Sequence, residues 1–223
     1  MAVTMLELYF IRHGQTDFSL ANRFCGSIDP SLNETGMKMA DAFGAHYASL
    51  KWDAIYCSPS IRAQQTANAL SSRVKISLTI DEGLREISYG EWEGMKHEEA
   101  KAKFPDVYSY WAADTASRTT PGGETAFMVA ARAAPVIERI RRDHAEGRVL
   151  VVAHKATLRI LVCALLGLDV RLFRDRIAQP VAAVSRFELK PAGKGTSSGG
   201  SAMLTLLGDV SHLPPELRSL EGT

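Results

Sequence analysis

Leu6-Glu7-Leu8-Tyr9-Phe10-Ile11-Arg12-His13-Gly14-Gln15-Thr16 is the stretch whose reading decides the fold. Leu6 to Ile11 is mostly apolar and aromatic, which predicts a short buried strand. The pattern then breaks, and an arginine, a histidine and a glycine arrive together. That puts polar groups at the carboxyl edge of a sheet, where open α/β folds hold their ligands. Arg12 offers a permanent fork of donors suited to phosphate or carboxylate. His13 is a side chain that can be a neutral nucleophile or base near pH 7. Gly14 can take a positive φ and let backbone amides approach a ligand. A lone Arg-His pair is more often structural, so the rest of the chain must decide.

Outward from this stretch, strands are expected at residues 54–57, 74–80 and 149–153, with closing strands at 183–189 and 202–207. Helical spacing of Met37, Ala40, Phe43, Tyr47 and Leu50 predicts a helix over 36–50. Ile61, Ala63, Ala67 and Leu70 predict another, with Arg62 in its first turn. Residues 17–35 read as a polar loop, 96–111 as helical with a weak apolar stripe, and 156–166 as a buried helix. Pro135 inside the helical stretch 125–144 predicts two helices or a kink. The Gly/Ser-rich segment 191–201 reads as a mobile loop. Strands alternating with helices predict an α/β domain: a three-layer αβα sandwich with a mainly parallel central sheet. Residues 95–123 read as a small helical cap inserted over the sheet edge.

At 223 residues the chain is expected to be one domain. Its 26 Lys plus Arg nearly cancel its 25 Asp plus Glu, so no global field points to nucleic acid or to a membrane surface. An anionic substrate must be met by a local cluster. Cys25, Cys57 and Cys163 are odd in number and without ligand spacing, which fits a reduced compartment and no metal. The longest apolar run, 160–168, is too short to cross a bilayer, and no room is left for a signal peptide. A cytoplasmic protein is expected. Its oligomeric state is left open, a homodimer included.

Three strand ends converge on anion chemistry. The first gives Arg12 and His13, the second leads through Ser58-Pro59-Ser60 into Arg62 at a helix start, and the fourth ends in His154. Glu86, within Leu84-Arg85-Glu86-Ile87-Ser88-Tyr89-Gly90, is a candidate proton donor to a leaving oxygen.

The ordered set Arg12-His13-Gly14-Gln15-Thr16, Ser58-Pro59 through Arg62-Ala63 to Thr66-Ala67, Leu84 to Gly94, Pro121-Gly122-Gly123-Glu124 and Val151 to His154 resembles the histidine phosphatase superfamily, in its phosphoglycerate mutase-like branch. The resemblance implies a phosphatase that hydrolyses a small phosphate ester without metal or cofactor. His13 would become a phosphohistidine. Arg12, Arg62 and His154 would hold the phosphoryl oxygens, and Glu86 would protonate the departing alkoxide. Gly14, Ser19, Asn22, Cys25 and Gly26 would line the phosphate. The segment after Glu86 resembles the phosphatase members, whereas Asn22-Arg23-Phe24-Cys25-Gly26 looks mutase-like. A phosphoglycerate mutase is therefore the alternative, and a non-catalytic binder of phosphorylated ligands the third reading.

Each candidate has a plainer account. Arg62 could pair with a nearby acid, Cys25 could be a small filler, and Tyr89 and Trp92 could be core. Glu82, Glu91 and Glu93 rival Glu86, whose role rests on the resemblance. The family often has Asn where Ser19 stands. Lys155 takes the place of the usual Gly, and its side chain either reaches a second anionic group on the substrate or lies in solvent.

Overall fold

The computed structural model describes residues 5–190 and 201–218. Strand β1, Leu6–Arg12, is buried on both faces. Leu6, Leu8 and Phe10 enter one core with Val149, Val151 and Phe187, while Tyr9 and Ile11 enter another with Ile55, Leu150 and Val152. A strand covered on both faces has no solvent side to make polar, so it reads as a continuous apolar run.

The other strands are β2 (Ala54–Cys57), β3 (Leu78–Ile80), β4 (Gly147–Ala153), β5 (Val184–Leu189) and β6 (Ala202–Asp209). They form one six-stranded sheet in the order β3-β2-β4-β1-β5-β6. Strands β1 to β4 run parallel, β5 is antiparallel to β1, and β6 is antiparallel to β5. The helices are α1 (Asp17–Leu20), α2 (Glu34–Tyr47), α3 (Ile61–Val74), α4 (His97–Lys103), α5 (Pro105–Ala113), α6 (Ala126–Asp143), α7 (Lys155–Leu166) and α8 (Phe173–Arg176). Helices α2 and α3 cover one face through Phe43, Tyr47, Ala67 and Leu70. Helices α6 and α7 cover the other through Val129, Ile137, Leu158 and Ile160. The expected three-layer α/β sandwich with a mainly parallel sheet is what forms.

Several local expectations are corrected. The loop 17–35 contains α1, because Thr16 Oγ1 accepts from the Ser19 amide while Ser19 Oγ accepts from the Thr16 amide. The third strand shortens to Leu78–Ile80, since α3 runs on to Val74 and stops at Lys75, held left-handed at φ 58°. The helical stretch 96–111 divides at Phe104, where Pro105 starts α5. Pro135 does not break α6. It lies on the exposed side, as does Ala131, so the carbonyl left without its helical N–H stays open to water. Of the expected loop 191–201, all but Ser201 lies outside the described residues.

Helices α4 and α5 pack on a separate aromatic cluster built from Phe24, Trp92 and Trp111, in which Trp92 stacks on Tyr108 at 5.4 Å between ring centroids.

Candidate active site

Sheet register brings the sequence candidates together. Arg12 pairs with Ala153 and Cys57 with Val152, so the next residues on each strand, His13, Ser58 and His154, emerge side by side. The amide of His13 donates to Ala153 O at 3.1 Å, and that of Ser58 to Val152 O at 3.0 Å. The His13 and His154 rings lie 5.2 Å apart between centroids.

His13 Nδ1 is 2.7 Å from the carbonyl oxygen of Gly14. A carbonyl only accepts, so Nδ1 carries the proton and Nε2 keeps its lone pair. Burial, with Arg62 and Arg12 nearby, holds the imidazole pKa well below its usual value, so the ring is neutral near pH 7. His154 is likewise buried and pushed well below the usual range, by desolvation first and Arg62 next. Its Nε2 meets Ser58 Oγ at 2.7 Å and Ser60 Oγ at 3.3 Å. Its Nδ1 is buried with no partner among the described residues.

Arg12 donates from Nη1 to Gln179 O at 2.9 Å, and burial draws its pKa down to about 10. Arg62, only 1% exposed, donates to Ile28 O at 2.9 Å and pairs with Asp29 at 3.3 Å. The plainer reading of Arg62 is therefore partly met. Asp29 also takes the amide of Ile61 at 2.9 Å, which fixes the start of α3. With His13 and Glu86, both arginines line a cleft of about 100 Å³.

Glu86 lies over the N-terminus of α7. Its Oε1 accepts from the amides of Ile87 (2.9 Å) and Thr157 (3.1 Å), and its Oε2 from that of Ala156 (3.0 Å). Its rivals are occupied elsewhere. Glu93 binds the amides of Gly26, Ser27, Ile28 and Tyr89, Glu82 pairs with Arg85, and Glu91 is exposed.

The phosphate-lining candidates divide. Ser19, Asn22, Cys25 and Lys155 border the cleft. The Ser19 hydroxyl is spent within the cap of α1, donating to Thr16 O at 2.9 Å. Asn22 sits at φ 48°, a left-handed conformation that Asn tolerates better than most residues. Cys25 is a half-buried wall residue whose carbonyl accepts from Arg62, and burial raises its thiol to about 11. Gly14 and Gly26, expected to line the phosphate, are not among the residues that border the cleft. The Gly14 amide donates to Thr66 Oγ1 at 3.0 Å and its φ is not positive, while the Gly26 amide is bound by Glu93 at 2.9 Å. Both glycines answer to close packing: a Cβ would stand 2.6 Å from Gly36 O at Gly14 and 2.0 Å from Ile87 O at Gly26.

Of the two aromatic candidates, Tyr89 is a cleft wall and Trp92 is core. Thr16, Arg23, Phe24 and His97 also border the cleft without having been singled out as its walls. His97 gave no signal because only the folding of α4 brings it there, with Nδ1 3.0 Å from Tyr108 Oη.

Against known proteins, a family model described as the histidine phosphatase superfamily (branch 1) matches residues 8–198. Phosphoserine phosphatase 1 of Hydrogenobacter thermophilus is 31% identical over 169 residues, which cover 76% of this chain and 80% of that one. A 2,3-bisphosphoglycerate-dependent phosphoglycerate mutase of Rhizobium etli is 34% identical over 165 residues, 71% and 78% of the two chains. Among solved structures, a mycobacterial glucosyl-3-phosphoglycerate phosphatase in complex with VO3 superposes with a TM-score of 0.79 at 27% identity, covering 91% of this chain and 98% of that one.

Proposed function

The chain belongs to the histidine phosphatase superfamily, and on that premise we propose that it hydrolyses a small phosphate monoester through a phosphohistidine on His13. The observation that carries this reading is His13, its Nδ1 held 2.7 Å from Gly14 O, sharing one cleft with Arg12 and Arg62. Nε2 attacks phosphorus, and the bond from phosphorus to the ester oxygen breaks with its electron pair going to that oxygen. Glu86 supplies the proton the alkoxide needs. Water then attacks the phosphohistidine, Glu86 takes up its proton, and inorganic phosphate leaves with His13 restored. Arg12 and Arg62 counter the charge that builds on the phosphoryl oxygens, and the unpartnered Nδ1 of His154 is a polar atom that a bound anion would satisfy. Fixed positive charge of this kind does the work a metal would otherwise do. Residues 95–123 act as the cap over this cleft, with His97 as their contribution to its wall.

Wild-type enzyme mixed with p-nitrophenyl phosphate and quenched in denaturant should carry an acid-labile, base-stable phosphate. His13→Ala should carry none and lose turnover at least about 10³-fold. Full activity in that variant would remove His13 from the reading, and a wild type inert toward every ester would favour a non-catalytic binder.

A mutase is the second reading, favoured by the relative from Rhizobium etli. Incubation with 3-phosphoglycerate, with and without 2,3-bisphosphoglycerate, separates the two. Rapid isomerisation with little phosphate release would make this chain a mutase.

A further inference from the structure

Beside the reaction cleft lies a second pocket of about 260 Å³, bordered by Lys155, Arg159 and Arg174. The two spaces share Asn22, Phe24, Tyr89, His97 and Lys155 as walls, so a molecule with its phosphate at His13 extends directly into the second one. Three basic side chains meet there from two adjoining helices. Lys155 and Arg159 stand four residues apart on α7, hence on one face, and Arg174 comes from α8.

The protein around them balances these basic groups only in part. Arg159 is 7% exposed, its Nε is buried without a partner, and the side chain makes no hydrogen bond or ion pair among the described residues. Arg174 lies over the Trp111 ring, 4.9 Å from its centroid. Two acids border the pocket. Glu124 is already paired with Arg132 at 2.8 Å, which leaves Asp175 on this pocket's wall and Glu86 in the adjoining cleft as the acids that face the cluster. A guanidinium removed from water without a hydrogen-bonding partner is costly unless something of opposite charge meets it.

We propose that Lys155, Arg159 and Arg174 form a subsite for a second anionic group, a carboxylate or a second phosphoryl, on the alcohol portion of the substrate. This rests on the phosphatase reading and narrows its substrate class to small phosphate esters that carry another acid. The aromatic walls Tyr89 and Trp111 flank the carbon skeleton between the two anionic ends. Lys155 thereby has a use at the position where a glycine would offer only its amide.

The test uses the full chain and pairs of esters that differ in the second anionic group. One pair is 3-phosphoglycerate and glycerol 3-phosphate, and the other is fructose 1,6-bisphosphate and fructose 6-phosphate; p-nitrophenyl phosphate serves as the reference. In the wild type, kcat/KM for the member that carries the second anionic group should exceed its partner's by about tenfold or more in at least one pair, chiefly through KM. Which pair shows the larger ratio tells carboxylate from phosphoryl. Arg159→Met should collapse that ratio, and Arg159→Lys should restore part of it. A ratio measured on one preparation does not depend on the fraction that has folded, and Lys155→Met supplies an independent ratio should Arg159→Met be insoluble. Turnover of p-nitrophenyl phosphate with ratios near one overturns the subsite and leaves the phosphatase reading standing. A wild type that hydrolyses no ester overturns both.

Discussion

Gly14 and Gly36 meet backbone to backbone: a Cβ on Gly14 would stand 2.6 Å from the carbonyl oxygen of Gly36. The contact presses the N-terminus of α2 onto the loop that carries His13. Asn33 holds that terminus by accepting the Gly36 amide at 2.9 Å, a cap worth about 1 kcal/mol.

Gly36→Ala therefore sets two effects against each other. Alanine gains about 1 kcal/mol of helix propensity over glycine. Its Cβ, however, would lie 2.0 Å from Gln15 O, an atom of backbone that cannot swing aside. Overpacking of this kind costs about 1–3 kcal/mol and occasionally more, so the clash wins. Denaturant unfolding should show a net loss of stability, and kcat/KM should fall because the His13 loop moves. A variant as stable as the wild type would mean the helix can shift without cost.

That glycine pair also marks where the sequence was legible and where it was not. The order Arg12-His13, Ser58 to Arg62 and His154 could be read in advance because each lies just past a buried run, and apolar runs are what a sheet writes into a sequence. Parallel register then does the assembling. Gly14 was read for its amide, yet its use is a contact with a residue 22 positions away, which no local pattern encodes. Pro135 reads as a break from its residue type alone, whereas its effect depends on the side of α6 it occupies, which here faces water. Arg159 and Arg174 were invisible for a similar reason, since their meeting depends on how α8 returns to α7.

For His13, the acid limb of kcat/KM should fall well below pH 6.5, once ionisation of the substrate is divided out. The sign follows from the groups around it. Burial, Arg62 and Arg12 disfavour the imidazolium, and only the hydrogen bond to Gly14 O favours it. The neutral nucleophile therefore persists as pH drops through the ordinary histidine range. An inflection in the free enzyme at the ordinary histidine value that remains after the substrate's own ionisation is divided out would contradict the assignment.

Glu86→Gln keeps the hydrogen-bond acceptor over α7 on one oxygen but removes the proton donor. An alkoxide must be protonated as it departs, whereas p-nitrophenolate needs much less help. Rapid quench should show phosphoenzyme formation slowed about 10²–10⁴-fold with a sugar phosphate and far less with p-nitrophenyl phosphate. Equal losses in that step would remove Glu86 from the role.

Activity should survive exhaustive chelation. Among the described residues no three His, Cys, Asp or Glu side chains are grouped as a metal site requires, and Arg12 and Arg62 already supply fixed positive charge. Loss of turnover on chelation, restored by one divalent ion, would call for another mechanism.

Lys155 gives the chain a pH-dependent strain of predictable sign. Burial, with Arg12 from β1 and Arg159 and Arg174 from α7 and α8, pulls its pKa from 10.5 down to about 7, and Glu86 opposes this only in part. His97 of α4 faces the same space and is itself drawn below the usual histidine value, chiefly by burial. Above the ordinary lysine value the amine is neutral folded or unfolded, so it costs nothing. As pH falls from 10.5 toward about 7 the unfolded chain takes up the proton and the folded one does not, and stability declines. Below about 7 both states are charged and the penalty stays constant. Lys155→Met should therefore be the more stable protein at neutral pH, with an advantage that shrinks as pH rises toward 10.5. Parallel denaturant curves for the two proteins across that interval decide the matter. A gap that does not change with pH would mean the ammonium is as well solvated in the fold as outside it, and the cluster around Lys155 would then exert no strain for a ligand to relieve.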